Sequence, residues 1–265
     1  MIKHFPSVWR LPCTSVCVLF LVLGLAACGA KGPVRPTVPA LADQYLMMQG
    51  REALGKKRWI EAREYFREVV ENYPGSPLRP DAKLAIGDAY LGEGTTESLV
   101  LAANEYREFL TFYPNNSRTD YAQYSIAMTF FKQMRAPARD QTPTRETLAE
   151  LDTFFQRYPT SPMAAEAKAK WRIARDRLSA ASYEVGVSYY KRKWYPGAID
   201  RFREVLRDDP GFSRIDAVYY HLAESFARTD IKGEAVPLFD RVVKDYPTSE
   251  YHEKAQKRLL ELTAQ

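Results

Sequence analysis

Few residues in this chain could do chemistry of their own, and the first to consider is Cys28. It ends the stretch Leu25-Ala26-Ala27-Cys28, behind an apolar run from Val16 to Leu25 that follows the basic residues Lys3 and Arg10. A charged start, an apolar stretch of about 10 residues and small residues before a cut site describe a secretory signal, too short to span a bilayer. Cleavage ahead of Cys28 would leave its thiol and a new amine open to acylation. The remaining candidates are weaker. Two histidines follow the cut, His221 and His252, and His221, between Tyr220 and Leu222, reads as a packed or rim residue. Gly92 and Gly94 in LGEGTTES fall in a helix-to-helix turn, not a phosphate loop. Neither a GxSxG elbow nor a DxDxDG-like calcium loop occurs. Asp208 and Asp209, ahead of Pro210, are expected to be solvated charges at a helix end. The pattern supports no enzyme, no metal site and no cofactor.

The segment around Cys28 resembles the bacterial lipobox, whose Cys takes a diacylglycerol on its thiol and a further acyl chain, such as palmitate, on its amine. With about 0.8 kcal/mol per buried CH₂, three such chains would hold the protein to a membrane. An ordinary signal peptide with a chance Cys is the alternative. Residues 1–27 are therefore expected to be cleaved, which removes Cys13 and Cys17 and leaves 238 of 265 residues with a single Cys. A fold without disulfides, in a compartment that permits them, must rest on its core. Two cations and no acid leave with the signal, so the formal charge falls from +5 to +3. So small and well-mixed a charge argues against nucleic acid. In residues 28–40, Pro33, Pro36 and Pro39 recur at every third position. That spacing suits an extended tether of about 3 Å per residue, roughly 35 Å in all, although PxxP can also dock a partner. Gly29 follows the anchor; in lipoproteins that resemble this one an Asp there favours the inner membrane, so Gly29 points to the outer membrane, facing the periplasm.

The elements that would carry any site are helical from Leu41 onward. Pro74, Pro114, Pro159, Pro210 and Pro247 close helix-like segments at intervals of 40, 45, 51 and 37 residues, a range that marks repeat arrays. Counting back from each Pro exposes one register. Twelve residues before stand Ala62, Ala102, Thr147, Ala198 and Ala235; eight before stand Phe66, Tyr106, Leu151, Phe202 and Phe239. Five before stand Val69, Phe109, Phe154, Val205 and Val242, completing one stripe of a helix. Gly50, Gly186 and Ala223, twenty-four before, are small enough for two helices to touch. This register resembles the tetratricopeptide repeat, in which a small residue on helix A makes a hole, an aromatic on helix B fills it and Pro stops the helix. The expected fold is all-α: a helical solenoid of about five helix pairs plus a C-terminal capping helix. Pairs are expected at 41–56 with 59–73, 77–92 with 97–112, 117–134 with 144–157, 162–192 with 195–208 and 213–228 with 232–245, and a cap at 249–263. Residues 41–160 would hold repeats one to three and 161–265 the last two and the cap. The cap should turn His252, Lys254, Lys257 and Arg258 outward. Pro196 and Gly197 sit where helix formers belong and could displace the start of their helix.

Lipobox, Pro-rich tether and five such repeats together resemble the BamD family of lipoproteins, from the outer-membrane β-barrel assembly machinery. Two stretches sharpen the likeness: Met134 to Pro143, similar to that family's Arg-Asp-rich insert, and Arg175 to Pro210, similar to its long helix and fourth repeat. The resemblance implies a scaffold, with partners that include BamA-like POTRA domains, other barrel-assembly lipoproteins and unfolded outer-membrane proteins. Arg201 matches the family's partner-facing arginine; a solvated charge paired with Glu204 is the plainer reading. Helices A of the first repeats bring Tyr45, Met48, Tyr90, Tyr121, Tyr124 and Met128, a wall suited to aromatic-rich substrate C-termini, with Lys83 or Arg118 for the carboxylate. Packing between helices is the competing use of these six. A tetratricopeptide lipoprotein serving pilus assembly or cell-wall coordination is the alternative function.

Overall fold

Each of the five spaced prolines ends a helix in the same way, and this repetition organises the chain. In the computed structural model, which describes residues 39–264, with side chains from residue 41, eleven helices follow one another. They are α1 (Pro39–Gly55), α2 (Trp59–Asn72), α3 (Arg79–Glu93), α4 (Thr96–Phe112), α5 (Thr119–Gln133), α6 (Thr142–Arg157), α7 (Ala164–Lys191), α8 (Tyr195–Asp208), α9 (Ile215–Arg228), α10 (Lys232–Asp245) and α11 (His252–Thr263). The signal stretch, Cys28 and the tether as far as residue 38 lie outside the described residues, and Pro39, expected in the tether, opens α1. A residue before Pro is pushed away from the helical region. Tyr73, Tyr113, Tyr158, Asp209 and Tyr246 accordingly close α2, α4, α6, α8 and α10 with ψ of 63°, 53°, 53°, 76° and 60°.

The chain then turns into the next helix through a small clasp. Ser161 and Ser213 donate their hydroxyls to Asp120 and Asp176 on the preceding A helix, both at 2.7 Å. Ser76 and Ser249 do the same to Asp43 and Asp216. Ser76, Ser161 and Ser249 each also accept the backbone N–H two residues on, a local bond that sets the entry of the new helix. Within the first, fourth and fifth repeats the turn from helix A to B uses a left-handed residue instead: Lys57, Lys193 and Asp230, with φ of 58°, 63° and 61°. The following N–H reaches back five residues, Trp194 to Tyr189 at 2.9 Å for example, closing the carbonyls of helix A.

Each helix packs chiefly on the one before it and the one after it, the arrangement of a tetratricopeptide array. Phe66, Tyr106, Leu151, Phe202 and Phe239 are all fully buried. A Cβ on Gly87 would come within 2.7 Å of Tyr106 and one on Gly186 within 2.6 Å of Phe202, so the holes admit hydrogen only. The core runs in three stretches, and α7, the longest helix at 28 residues, joins two of them: Ala167 packs beside Phe154, Tyr183 beside Phe202.

Three expectations change. The start of α8 is not displaced: Pro196 falls in its first turn, where no N–H is needed, and bare Gly197 makes room for the Trp194 ring. Asp209 is not a solvated charge; it is 3% exposed and grips Arg172. In the cap, Arg258 turns back to bond buried Glu224 at 2.6 Å, because that carboxylate must be paired once out of water.

Candidate docking site

The insert between α5 and α6 is a built structure, not a slack loop. Gln141 is 6% exposed, and its amide nitrogen donates to the carbonyls of Ala136 at 2.9 Å and Arg139 at 3.0 Å. Its amide oxygen accepts from Thr144 at 2.8 Å, so one side chain fastens the loop to the start of α6. Asp140 accepts from the Thr142 backbone N–H at 3.0 Å and from its hydroxyl at 2.8 Å; these bonds hold the Asp140 carboxyl below its ordinary range. Arg177 of α7 donates to the carbonyl of Arg135 at 2.8 Å and holds the insert against the long helix.

Between the insert, α7 and α8 lies an open cleft of about 650 Å³, floored by Leu178, Ala181 and Val185 and reached by Arg139, Arg145 and Arg201. It continues into a smaller one of about 330 Å³ where Arg145, Arg175 and Arg201 meet Glu204 and Asp208. Arg201, on the outward side of α8, donates one nitrogen to Glu204 at 2.8 Å and stays 43% exposed. Both readings of Arg201 therefore meet here: it is paired with Glu204 and it lines the cleft. The remaining donors of its planar fork can take a carboxylate with two parallel bonds, which Lys cannot reproduce. Sequence reasoning singled out Arg201 and the insert but missed Arg145 and Gln141; the polar Gln between Asp140 and the Thr-Pro-Thr helix start was the available signal.

The six residues of the N-terminal A helices separate by burial. Met48 is 55% exposed, and Tyr45, Tyr121 and Met128 are half-buried, whereas Tyr90 and Tyr124 are buried. The Arg63 guanidinium lies 4.2 Å from the Tyr90 ring centre, and Tyr124 donates to Glu166 at 2.8 Å. Tyr121 and Tyr106 both donate to Asp88 at 2.7 Å. Burial raises the Asp88 carboxyl despite these bonds; Tyr106 is fully buried, while Tyr121 stays half-buried at the edge of the trio. Lys83, expected to offer charge, is held by Glu105 at 2.6 Å, and Arg118 lies over the Tyr121 ring at 4.6 Å. Among the described residues no cluster of His, Cys, Asp and Glu is placed to hold a metal ion.

Comparison with known proteins bears on the array. A tetratricopeptide-repeat model matches residues 217–249, covering most of α9 and all of α10. An outer membrane protein assembly factor BamD from Caulobacter vibrioides is 28% identical over 227 residues, spanning 84% of this chain and 73% of that one. The factor of the same name from Rickettsia prowazekii is 27% identical over 252 residues, spanning 92% and 94%. Among solved structures, the TPR2AB-domain:pHSP90 complex of yeast Sti1 has a TM-score of 0.44 at 13% identity, over 83% of this chain and 84% of that one. The YfiO model, described as an outer membrane lipoprotein, matches residues 39–232 and so takes in the first four helix pairs, the insert and Arg201; the chain belongs to that family.

Proposed function

We propose that this chain is a lipid-anchored scaffold for the assembly of β-barrel proteins into the outer membrane, facing the periplasm and acting without catalysis. The observation that carries the docking role is the cleft around Arg201, held open by the Gln141-fastened insert and rimmed by guanidinium groups. A POTRA-like domain of the barrel-forming subunit, offering a carboxylate to Arg201, is the occupant of that cleft. In this reading residues 1–27 are cleaved, Cys28 carries the acyl chains, and residues 29–38 span from membrane to array. Residues 41–160 receive substrate and 161–265 dock the machinery, including its other lipoproteins.

The test uses the protein in its native membranes. Wild-type chain should fractionate with the outer membrane and, after gentle solubilisation, bring down a barrel-forming subunit. Arg201→Glu should reduce that recovery at least tenfold while its helical signal stays unchanged. Cys28→Ser should move the chain to the soluble fraction or leave it uncleaved. Recovery of pilus or cell-wall proteins instead would replace this reading with the alternative scaffold.

The A-helix wall of the first repeats is the proposed receiving surface for unfolded barrel proteins, with Tyr45, Met48, Tyr121 and Met128 as its accessible members. A photo-reactive peptide ending in a barrel protein's C-terminal strand should label residues 41–130 in preference to 195–265. Labelling that survives scrambling of the peptide would remove this surface from the account.

A further inference from the structure

The A helices of the last repeats carry a second recess, on residues that the Arg201 cleft does not use apart from Glu184 and Ser188. A cleft of about 730 Å³ opens between α7, α9 and the start of α11. Its aromatic side is made by Tyr183, His221 and Tyr251; the His221 ring centre stands 5.8 Å from that of Tyr183 and 5.4 Å from that of Tyr251. His221 Nδ1 lies 2.8 Å from the carbonyl of Ala217, a bond in which it is the donor, so the ring is held in one orientation. Three cations, Lys191, Arg192 and Arg214, face one carboxylate, Glu184. Glu184 stands 3.9 Å from Arg214, and Lys191 and Arg192 are exposed with no carboxylate in ion-pair reach among the described residues. Lys254 adds charge beside the cleft, 5.1 Å from the Tyr251 ring centre.

The recess does not end there. A neighbouring cleft of about 650 Å³ shares Arg214 and is lined by Ile173, Arg177 and Ala180 of α7. With Glu184, Val187 and Lys191 these three complete a stripe at spacings of three and four along one side of the helix. Eighteen residues at 1.5 Å give a track about 27 Å long, the reach of roughly eight residues of extended chain. Ile173, 46% exposed, offers apolar surface at the far end. A small anion would need only the cations; the length, the ring-lined wall and the apolar stretch suit a longer ligand.

We infer that this track binds an extended, acidic peptide segment of a partner protein, with aromatic side chains laid on the half-buried rings of His221 and Tyr251 and carboxylates met by Lys191, Arg192 and Arg214. Side chains of an extended strand alternate, so one edge can meet the rings while the other meets the cations. The attraction is between exposed charges and weakens with salt. The surface borders the Arg201 cleft through Glu184, Ser188 and Pro137, but its cations Lys191, Arg192 and Arg214 lie outside that cleft and outside the N-terminal wall.

A fluorescein-labelled eight-residue peptide of alternating Glu and Phe, titrated with purified protein and followed by anisotropy, tests it. Binding should appear at low salt, weaken as salt rises, and be lost when the Glu residues are replaced by Lys or the Phe residues by Ala. The double variant Lys191→Glu with Arg192→Glu, at exposed sites outside the core, should weaken it at least tenfold. Arg201→Glu should leave it intact, which separates this site from the docking cleft. Arg51→Glu with Lys57→Glu makes the same charge change elsewhere and should leave binding within about twofold. Equal weakening by both charge-reversed pairs, no binding by the wild type, or displacement of the peptide by the same concentration of inorganic phosphate would each overturn the inference.

Discussion

Phe202→Ala is expected to lower the unfolding free energy by about 3–5 kcal/mol, among the largest losses available to a single substitution in this chain. The ring is fully buried and sits over bare Gly186, with the rings of Tyr183 and His221 centred 5.9 Å away. Those neighbours cannot move into the space. Gly186 has no side chain to extend, and His221 is fastened to Ala217. The cavity therefore stays open, and its cost adds to the lost transfer of the ring. Because the helices contact mainly their neighbours in sequence, the damage should be concentrated at the α7–α8 contact. Denaturant unfolding followed by circular dichroism should show an earlier transition, separating from the rest as contacts on either side persist. A loss below about 1 kcal/mol would mean that the site collapses and that the hole-and-ring contact is not a main source of stability.

Asp209→Ala is expected to cost about 2–3 kcal/mol, through polar contacts instead of packing. Asp209 accepts from one Arg172 nitrogen at 2.8 Å, from the other nitrogen as well, and from Ser179 at 2.6 Å. The cost falls short of that for breaking a fully buried pair because Arg172 is 38% exposed and can hydrate once freed. Burial raises the Asp209 carboxyl, but the bonds from Arg172 and Ser179 outweigh it and hold the group below its ordinary range. A carboxyl lowered by folding contributes stability above its unfolded value, about 3.9, and that contribution disappears as pH falls through the folded value. Wild type should thus lose part of its advantage over Asp209→Ala below about pH 4. A difference between the two that does not vary from pH 7 to pH 3 would show that the ion pair is not what the substitution removes.

The register behind these predictions was legible in the sequence because one physical requirement is repeated. Ala62, Ala102, Ala198 and Ala235 open the B helices, and the aromatic one turn later fills a hole; counting back from Pro finds both. Asp209 was misread because Tyr stands before Pro in four of the repeats, and nothing local shows that Arg172, 37 residues earlier, returns to meet an acid there. The Ser–Asp clasps were missed for a related reason: their separations differ, from 33 residues between Asp43 and Ser76 to 41 between Asp120 and Ser161. The Arg201 cleft was half legible. Arg201 could be placed by its distance from Pro210, whereas its neighbour Arg145 comes from another repeat and reaches it only through the insert. The burial of Tyr90 and Tyr124 was equally hidden, since an aromatic on helix A can face either the wall or the next helix.

The variable separation within the clasps bears on how such a chain can change over generations. Each clasp fixes how one module meets the next and is indifferent to the number of residues threaded between its two ends. Lengthening a surface loop is thermodynamically cheap, about 0.6 kcal/mol for each doubling. New recognition surface, of the kind the Gln141 loop supplies, can therefore be grafted between two junctions without redesigning the joints. The joints themselves have little room for novelty, because Pro must be followed closely by a small polar side chain that fastens the turn, Ser in four of them and Asn116 after Pro114. A lineage built on this plan would diversify its partners in the spans and keep its shape at the seams.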